Sequence, residues 1–89
     1  MTKNEFLQFA EAQGYAKTGE SEYAPGMSNE RHTHDFAFAA LVIEGEFKLT
    51  TDEGEEVFTP GSMWSLDAGV DHAEEVLGDS PVKFLYAVR

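Results

Sequence analysis

The stretch GMSNERHTHDFAFAALVIEG, residues 26–45, decides how the chain is read. Alternate side chains of a β-strand face the same side. Across Glu30–Val42 the even positions are Glu30, His32, His34, Phe36, Phe38, Ala40 and Val42. Two histidines therefore share a face with aromatic and aliphatic residues and should point inward. His-x-His on a strand places its imidazoles about 7 Å apart along the chain. Such a pair can close around one ion but leaves it under-coordinated. A third ligand must come from another strand, and the chain has one further histidine, His72.

That histidine lies in GSMWSLDAGVDHAEEV, residues 61–76. Here His72, Glu74 and Val76 share one face, while Asp71, Ala73 and Glu75 take the other. Glu74 should thus look toward the histidines, as a further ligand, a neighbouring carboxylate or a proton carrier. Its plain alternative is a carboxylate in water at a barrel mouth. Glu30, on the face of His32 and His34, is a second carboxylate candidate; Asp35 and Glu75 have outward parity. Neutral imidazole suits Zn²⁺, Ni²⁺, Cu²⁺ and Fe²⁺. Three histidines with open positions make a reactive site rather than a closed structural one. Each histidine taken singly also reads as a hydrogen-bonded core residue.

Upstream, residues 2–13 predict one short amphipathic helix. Thr2 and Glu5 have the spacing of a capping box, Phe6, Phe9 and Ala10 follow at helical spacing, and Gly14 sits where a left-handed cap belongs. Its phenylalanine face must pack on something. After Gly14, turn residues recur at Gly19, Pro25-Gly26, Gly45, Gly54, Pro60-Gly61, Gly69 and Gly78. Between them lie segments rich in β formers: Phe36–Ile43, Phe47–Thr51, Val57–Thr59, Met63–Leu66 and Val82–Val88. This rhythm predicts an all-β barrel or sandwich over about residues 15–89, with the helix laid against it. No linker or repeat divides the chain, so residues 1–89 are expected to form one domain.

The two glycine-framed stretches resemble the motifs of the cupin family. In the first cupin motif a glycine and five residues precede His-x-His, and a glutamate follows before the closing glycine. Here Gly26, His32-Thr33-His34 and Gly45 keep that spacing. In the second, Gly61 is followed by five residues, Asp67-Ala68-Gly69, two more residues and His72. Fifteen residues separate Gly45 from Gly61, similar to the spacing of small bacterial cupins. The resemblance implies an antiparallel double-stranded β-helix, or jelly roll, with a divalent metal (Zn, Ni or Fe) on His32, His34 and His72. Three positions depart from the pattern: Phe38 replaces the glutamate ligand, Asp67 the proline and Val76 the asparagine. Glu74 is the candidate replacement ligand, and the same residue is the one candidate for catalysis. Phe36, Phe38 and Trp64 are candidate lining of an apolar pocket beside the metal.

Composition narrows the functions further. With 17 acidic and 6 basic residues the net charge is −11, a field that repels phosphate backbones and anionic membranes. No nucleic-acid or membrane partner is expected. Cysteine is absent, which removes disulfides, thiolate metal sites and cysteine nucleophiles. No signal-like apolar run opens the chain, so a cytoplasmic protein is the expectation. At 89 residues the domain buries only about 60–65% of its unfolded surface, and a homodimer is expected to complete it. Three functions remain: a metal-binding cupin with Lewis-acid or dioxygen chemistry, a non-catalytic small-molecule binding or sensor module, and a metal-free barrel whose histidines bond a ligand or one another.

Overall fold

The computed structural model describes residues 1–89. Its central strand is FAALVIE, Phe38–Glu44, in which Ala39, Ala40, Leu41 and Val42 are all buried. A strand covered on both faces reads as a continuous apolar run rather than an alternating one. What covers the two faces defines the molecule.

The elements in chain order are α1 (Lys3–Ala12), β1 (Lys17–Tyr23), β2 (Phe38–Glu44), β3 (Glu46–Thr51), β4 (Gly54–Phe58), β5 (Met63–Leu66), β6 (Ala73–Leu77) and β7 (Val82–Val88). They form two antiparallel sheets, ordered β1-β7-β2-β5 and β4-β3-β6. Isolated bridges Ser28–Glu75 and His32–His72 lay the segment before β2 along the free edge of β6. The even-numbered face of β2 meets the second sheet. There Ala40 and Val42 join Phe47, Leu49, Phe58, Trp64, Val76, Val82 and Phe84 in the core. The odd-numbered face, Ala39 and Leu41, packs with Leu85, Ala87 and the helix residues Phe6 and Ala10. The expected all-β double-sheet barrel with one N-terminal helix is what the chain forms.

The helix is one residue shorter at each end than predicted. Thr2 is its N-cap and Gln13 its C-cap. The Glu5 N–H donates to the Thr2 hydroxyl (3.2 Å) and the Thr2 N–H to the Glu5 carboxylate (2.8 Å), so both halves of the capping box are made. The hydrogen bonds with Thr2 hold the Glu5 carboxyl below its ordinary pKa. Three strand boundaries shift by a few residues: β2 starts at Phe38 rather than Phe36, β3 at Glu46, and β4 spans Gly54–Phe58 rather than Val57–Thr59.

β1 was not anticipated. Its sequence, KTGESEY, is almost wholly polar, and Gly19 reads as a turn. The strand exists because it pairs with β7 over seven residues, Lys17 opposite Val88 through Tyr23 opposite Val82. Gly19 is a packing glycine, not a turn: a Cβ there would lie 2.6 Å from the Tyr86 hydroxyl.

Candidate metal centre

The site is built from a backbone pairing. His32 and His72 face one another across an antiparallel bridge, with His32 N–H donating to the His72 carbonyl (2.8 Å) and His72 N–H to the His32 carbonyl (3.0 Å). Residues paired in this way project their side chains to the same face. Their ring centroids are 4.4 Å apart. His34, two residues on, keeps the same parity and brings its ring to 4.9 Å from His32 and 5.0 Å from His72. Its backbone carbonyl accepts the Gly69 N–H (2.8 Å), which ties the histidine strand to the glycine turn before His72.

Glu74 arrives by the same alternation. Its Oε1 is 3.4 Å from His32 Nε2 and 3.7 Å from His72 Nε2. One ligand atom from each of His32, His34, His72 and Glu74 can be chosen so that all four lie within 4.8 Å of one another. Two ligands held at about 2.1 Å on one tetrahedral ion sit about 3.4 Å apart, so the set is near the size of a metal site and slightly open.

Second contacts prepare the rings for that role. His32 Nδ1 lies 2.8 Å from the Glu30 carbonyl and His72 Nδ1 lies 3.0 Å from the Val70 carbonyl. A carbonyl only accepts, so each Nδ1 carries a proton, and in the neutral ring the Nε2 lone pair is then the one free to bind an ion on the side of Glu74. Such outer hydrogen bonds fix tautomer and orientation in metal-binding histidines. Glu30 thus contributes its backbone carbonyl, while its side chain is exposed. His34 is held below the usual imidazole pKa, first by burial and then by the neighbouring His72 and His32.

Glu74 is 5% exposed and His72 2%. A buried carboxylate is costly unless hydrogen-bonded or paired with a cation. Tyr23 donates its hydroxyl to Glu74 Oε2 (3.0 Å) and Asn29 donates its side-chain amide to Oε1 (3.3 Å). Asn29 also accepts the Glu74 N–H through Oδ1 (2.8 Å). Burial, then the Glu74 charge, pushes the Tyr23 hydroxyl well above its ordinary pKa, so it remains a donor. Sequence reasoning missed both residues. Asn29 lies three residues before His32, within the motif segment. Tyr23 ends the strand that was not anticipated.

The aromatic candidates separate. Phe36 stacks on His34 (4.8 Å, 18°). Phe38, at the position of the missing glutamate, turns into the core against Trp64 (5.2 Å) and Tyr86 (6.0 Å). None of the concavities of the molecule is lined by Phe36, Phe38 or a histidine; Trp64 lines one at the edges of β4 and β5. Arg31 ties the mouth together outside, with Asp52 at 2.6 Å and Asp71 at 3.2 Å. Asp35 is exposed; Glu75 pairs with Lys48 at 3.1 Å.

Two sheets with histidines bridging their mouth define a class of small β-barrel protein, and the sequence places the chain within it. The chain belongs to the cupin-domain family, whose profile matches residues 19–88. The Drosophila melanogaster CENP-C cupin domain superposes with a TM-score of 0.70 at 21% identity, over 83% of this chain and 61% of that one. That protein is also known bound to CAL1. The Schizosaccharomyces pombe Cnp3 cupin domain gives 0.72 at 12% identity, over 80% and 50%. The cupin domain of an XRE family transcriptional regulator from Enterobacter cloacae gives 0.68 at 20%, over 81% and 78%. The chain therefore spans half to about three-fifths of the first two structures. These likenesses concern the fold. No curated protein matches the sequence. No helix is long and apolar enough to cross a membrane.

Proposed function

We propose that this cupin domain holds one divalent transition-metal ion through ring nitrogens of His32, His34 and His72 and through Glu74 Oε1. The observation that carries the reading is a buried carboxylate aimed at the Nε2 atoms of two histidines whose Nδ1 atoms are already committed to carbonyls. A cation there would offset the burial of Glu74 that Tyr23 and Asn29 offset only in part. The donor set, three imidazoles and one carboxylate, suits Zn, Ni or Fe. Glu74 takes the place of the glutamate that Phe38 displaces, from a different strand. On a six-coordinate ion such as Ni or Fe these four ligands would leave two positions open, where the ion would supply Lewis-acid polarisation of a small molecule's oxygen, whereas a tetrahedral Zn would be closed by all four. Between its two proposed roles, ligand and proton carrier, Glu74 fits the first better: Oε1 faces the rings and Oε2 is taken by Tyr23.

Elemental mass spectrometry of tag-free protein tests this directly. About one equivalent of metal is expected, lost in His72→Ala and in His34→Ala. The second variant removes a half-exposed ring and so spares the fold. A protein that carries none and takes up none from Zn²⁺, Ni²⁺ or Fe²⁺ would sink the reading.

A second reading is a non-catalytic binding or sensor module. It is favoured by the likeness to a cupin domain that is part of a transcriptional regulator. Saturable ligand binding with no turnover of that ligand, metal present, would select it.

A further inference from the structure

The core between the sheets is unevenly closed. Six of its nine buried members are at most 4% exposed, but Leu49, Phe58 and Trp64 are 7%, 7% and 6% exposed. Those three line a single cavity of about 340 Å³, bounded by β3, β4 and β5. Its volume is at the lower end of the range of small-molecule sites, about 300–1,000 Å³. It lies where β4 and β5, edge strands of different sheets, approach without pairing.

Two groups give this cavity chemical character. The first is Glu56. It pairs with Leu49 in register, two residues from Phe58, and so shares the Phe58 face of β4, with its own side chain exposed at the rim of the cavity. Strand alternation calls for an apolar residue there. The carboxylate has no cation partner: the ion pair of β4 belongs to Glu55, which meets Lys48 at 2.8 Å on the outer face. The second is Trp64. Its indole N–H bonds to no group of the protein, yet no buried side-chain nitrogen or oxygen lacks a partner. The N–H of this 6%-exposed residue therefore faces open space, and the cavity is the space Trp64 lines. An acceptor-seeking donor and an unpaired anion thus flank a floor of Leu49, Phe58 and Leu66.

We propose that the cavity binds a small organic cation: an amine with a compact apolar body and a hydrogen-bond acceptor. Glu56 takes the ammonium, the Trp64 N–H meets the acceptor, and the apolar body covers the floor. The net charge of −11 favours such a ligand and disfavours its anionic analogues. The site is separate from the histidines, none of which lines it. Leu49, directly opposite Glu74 in the β3–β6 register, stands between them. The inference does not rest on metal binding.

Trp64 is the only tryptophan of the chain, so its emission reports on the cavity. Chelator-treated protein is titrated at low salt with tyramine, neutral N-acetyltyramine and anionic para-hydroxyphenylacetate. Excitation is at the red edge of the indole band, where the phenols do not absorb. Tyramine should give a saturable change, N-acetyltyramine should bind about fivefold more weakly, and the anion should bind least. Glu56→Gln should erase the preference for the cation while leaving the melting temperature unchanged. The proposal fails if no titration saturates, if the three phenols bind equally, if the anion binds best, or if Glu56→Gln leaves tyramine affinity intact. It also fails if the response appears only after metal is added, which would move the ligand to the histidines.

Discussion

The Tyr23 phenol and the Asn29 amide decide which way a buried carboxylate faces. With Oε2 held by Tyr23, Glu74 presents Oε1 to the two histidines. Tyr23 is itself fixed in the core, 4.8 Å from the Phe84 ring and 6.0 Å from that of Phe47. Tyr23→Phe keeps that packing and deletes one donor. Leaving the carboxylate oxygen unsatisfied should cost about 1–3 kcal/mol of stability. It should also weaken metal binding about 10–100-fold, as expected when an outer partner of a ligand is lost. Urea unfolding of the metal-free variant and competitive metal titration read the two effects separately; unchanged metal affinity would leave Tyr23 a packing residue. A second effect at this scale concerns pH. His34 is held below the ordinary imidazole pKa by burial first and by its neighbouring histidines second. The unfolded chain therefore takes up the proton more readily. Stability from this group is whole above about pH 6.5 and is lost as pH falls through the depressed folded value. Melting temperatures in chelator should decline on acidification below that point, and His34→Gln should flatten the decline. The histidines and Glu74 were legible from the sequence because parity along one strand is a local property. Tyr23 and Asn29 were not, because their contact with Glu74 spans 51 and 45 residues of chain.

At the scale of elements, the helix is where sequence and structure agree most closely. Its capping box is a pattern of four adjacent residues, and its stripe of Phe6 and Ala10 needs only a flat apolar surface to meet. That surface is the outer face of the first sheet, Ala39, Leu41, Leu85 and Ala87. Small alanines there let the helix approach closely, and Phe6 fills the space, fully buried. Phe6→Ala should cost about 3–5 kcal/mol through lost burial and a residual cavity. Thr2→Ala should cost about 1 kcal/mol through loss of the cap. Denaturant midpoints at constant slope check both, and a Phe6 variant near wild-type stability would mean that the helix is not docked. β1 shows the opposite case. A strand with one large apolar residue has no hydrophobic period to read, and its existence depends on a partner far along the chain, from Lys17 opposite Val88 to Tyr23 opposite Val82. The segment from Ser28 to Phe36 lies between these extremes. Its parity was legible, yet it makes only bridges at Ser28 and His32 before β2 begins. The reading of Phe38 shows the limit of parity. Alternation predicted its face correctly, but that face changes along the strand from histidine mouth to packed core. The aromatic partners Trp64 and Tyr86 come from β5 and β7, which no local pattern reveals.

Considered as a whole, the molecule closes its large apolar surfaces from within. The helix covers one face of the first sheet, the second sheet covers the other, and Lys48 lies between Glu55 and Glu75 on the outer face of the second. The large apolar residues left exposed are Met1, Leu7 and Val57, so the phenylalanine face of the helix needs no second subunit to bury it. The ends of the barrel are held differently. At one, histidines and a carboxylate from two separate chain segments meet, joined by backbone bridges and by Arg31 bonding Asp52 and Asp71. Joining those segments through one ion would add a cross-link present only in the folded state. An ion that binds the native protein alone stabilises it by mass action, about 2.7 kcal/mol at a free concentration one hundred times its dissociation constant. Thermal unfolding should therefore shift upward with added metal and continue to climb with its logarithm. His72→Ala should abolish the climb, whereas Glu56→Gln, at the cavity between β4 and β5, should leave it intact. A shift that survives loss of His72 would instead mean that the ion is neutralising the acidic surface of a chain with net charge −11. Added sodium chloride distinguishes the two, because screening reproduces surface neutralisation but cannot replace a bound ligand.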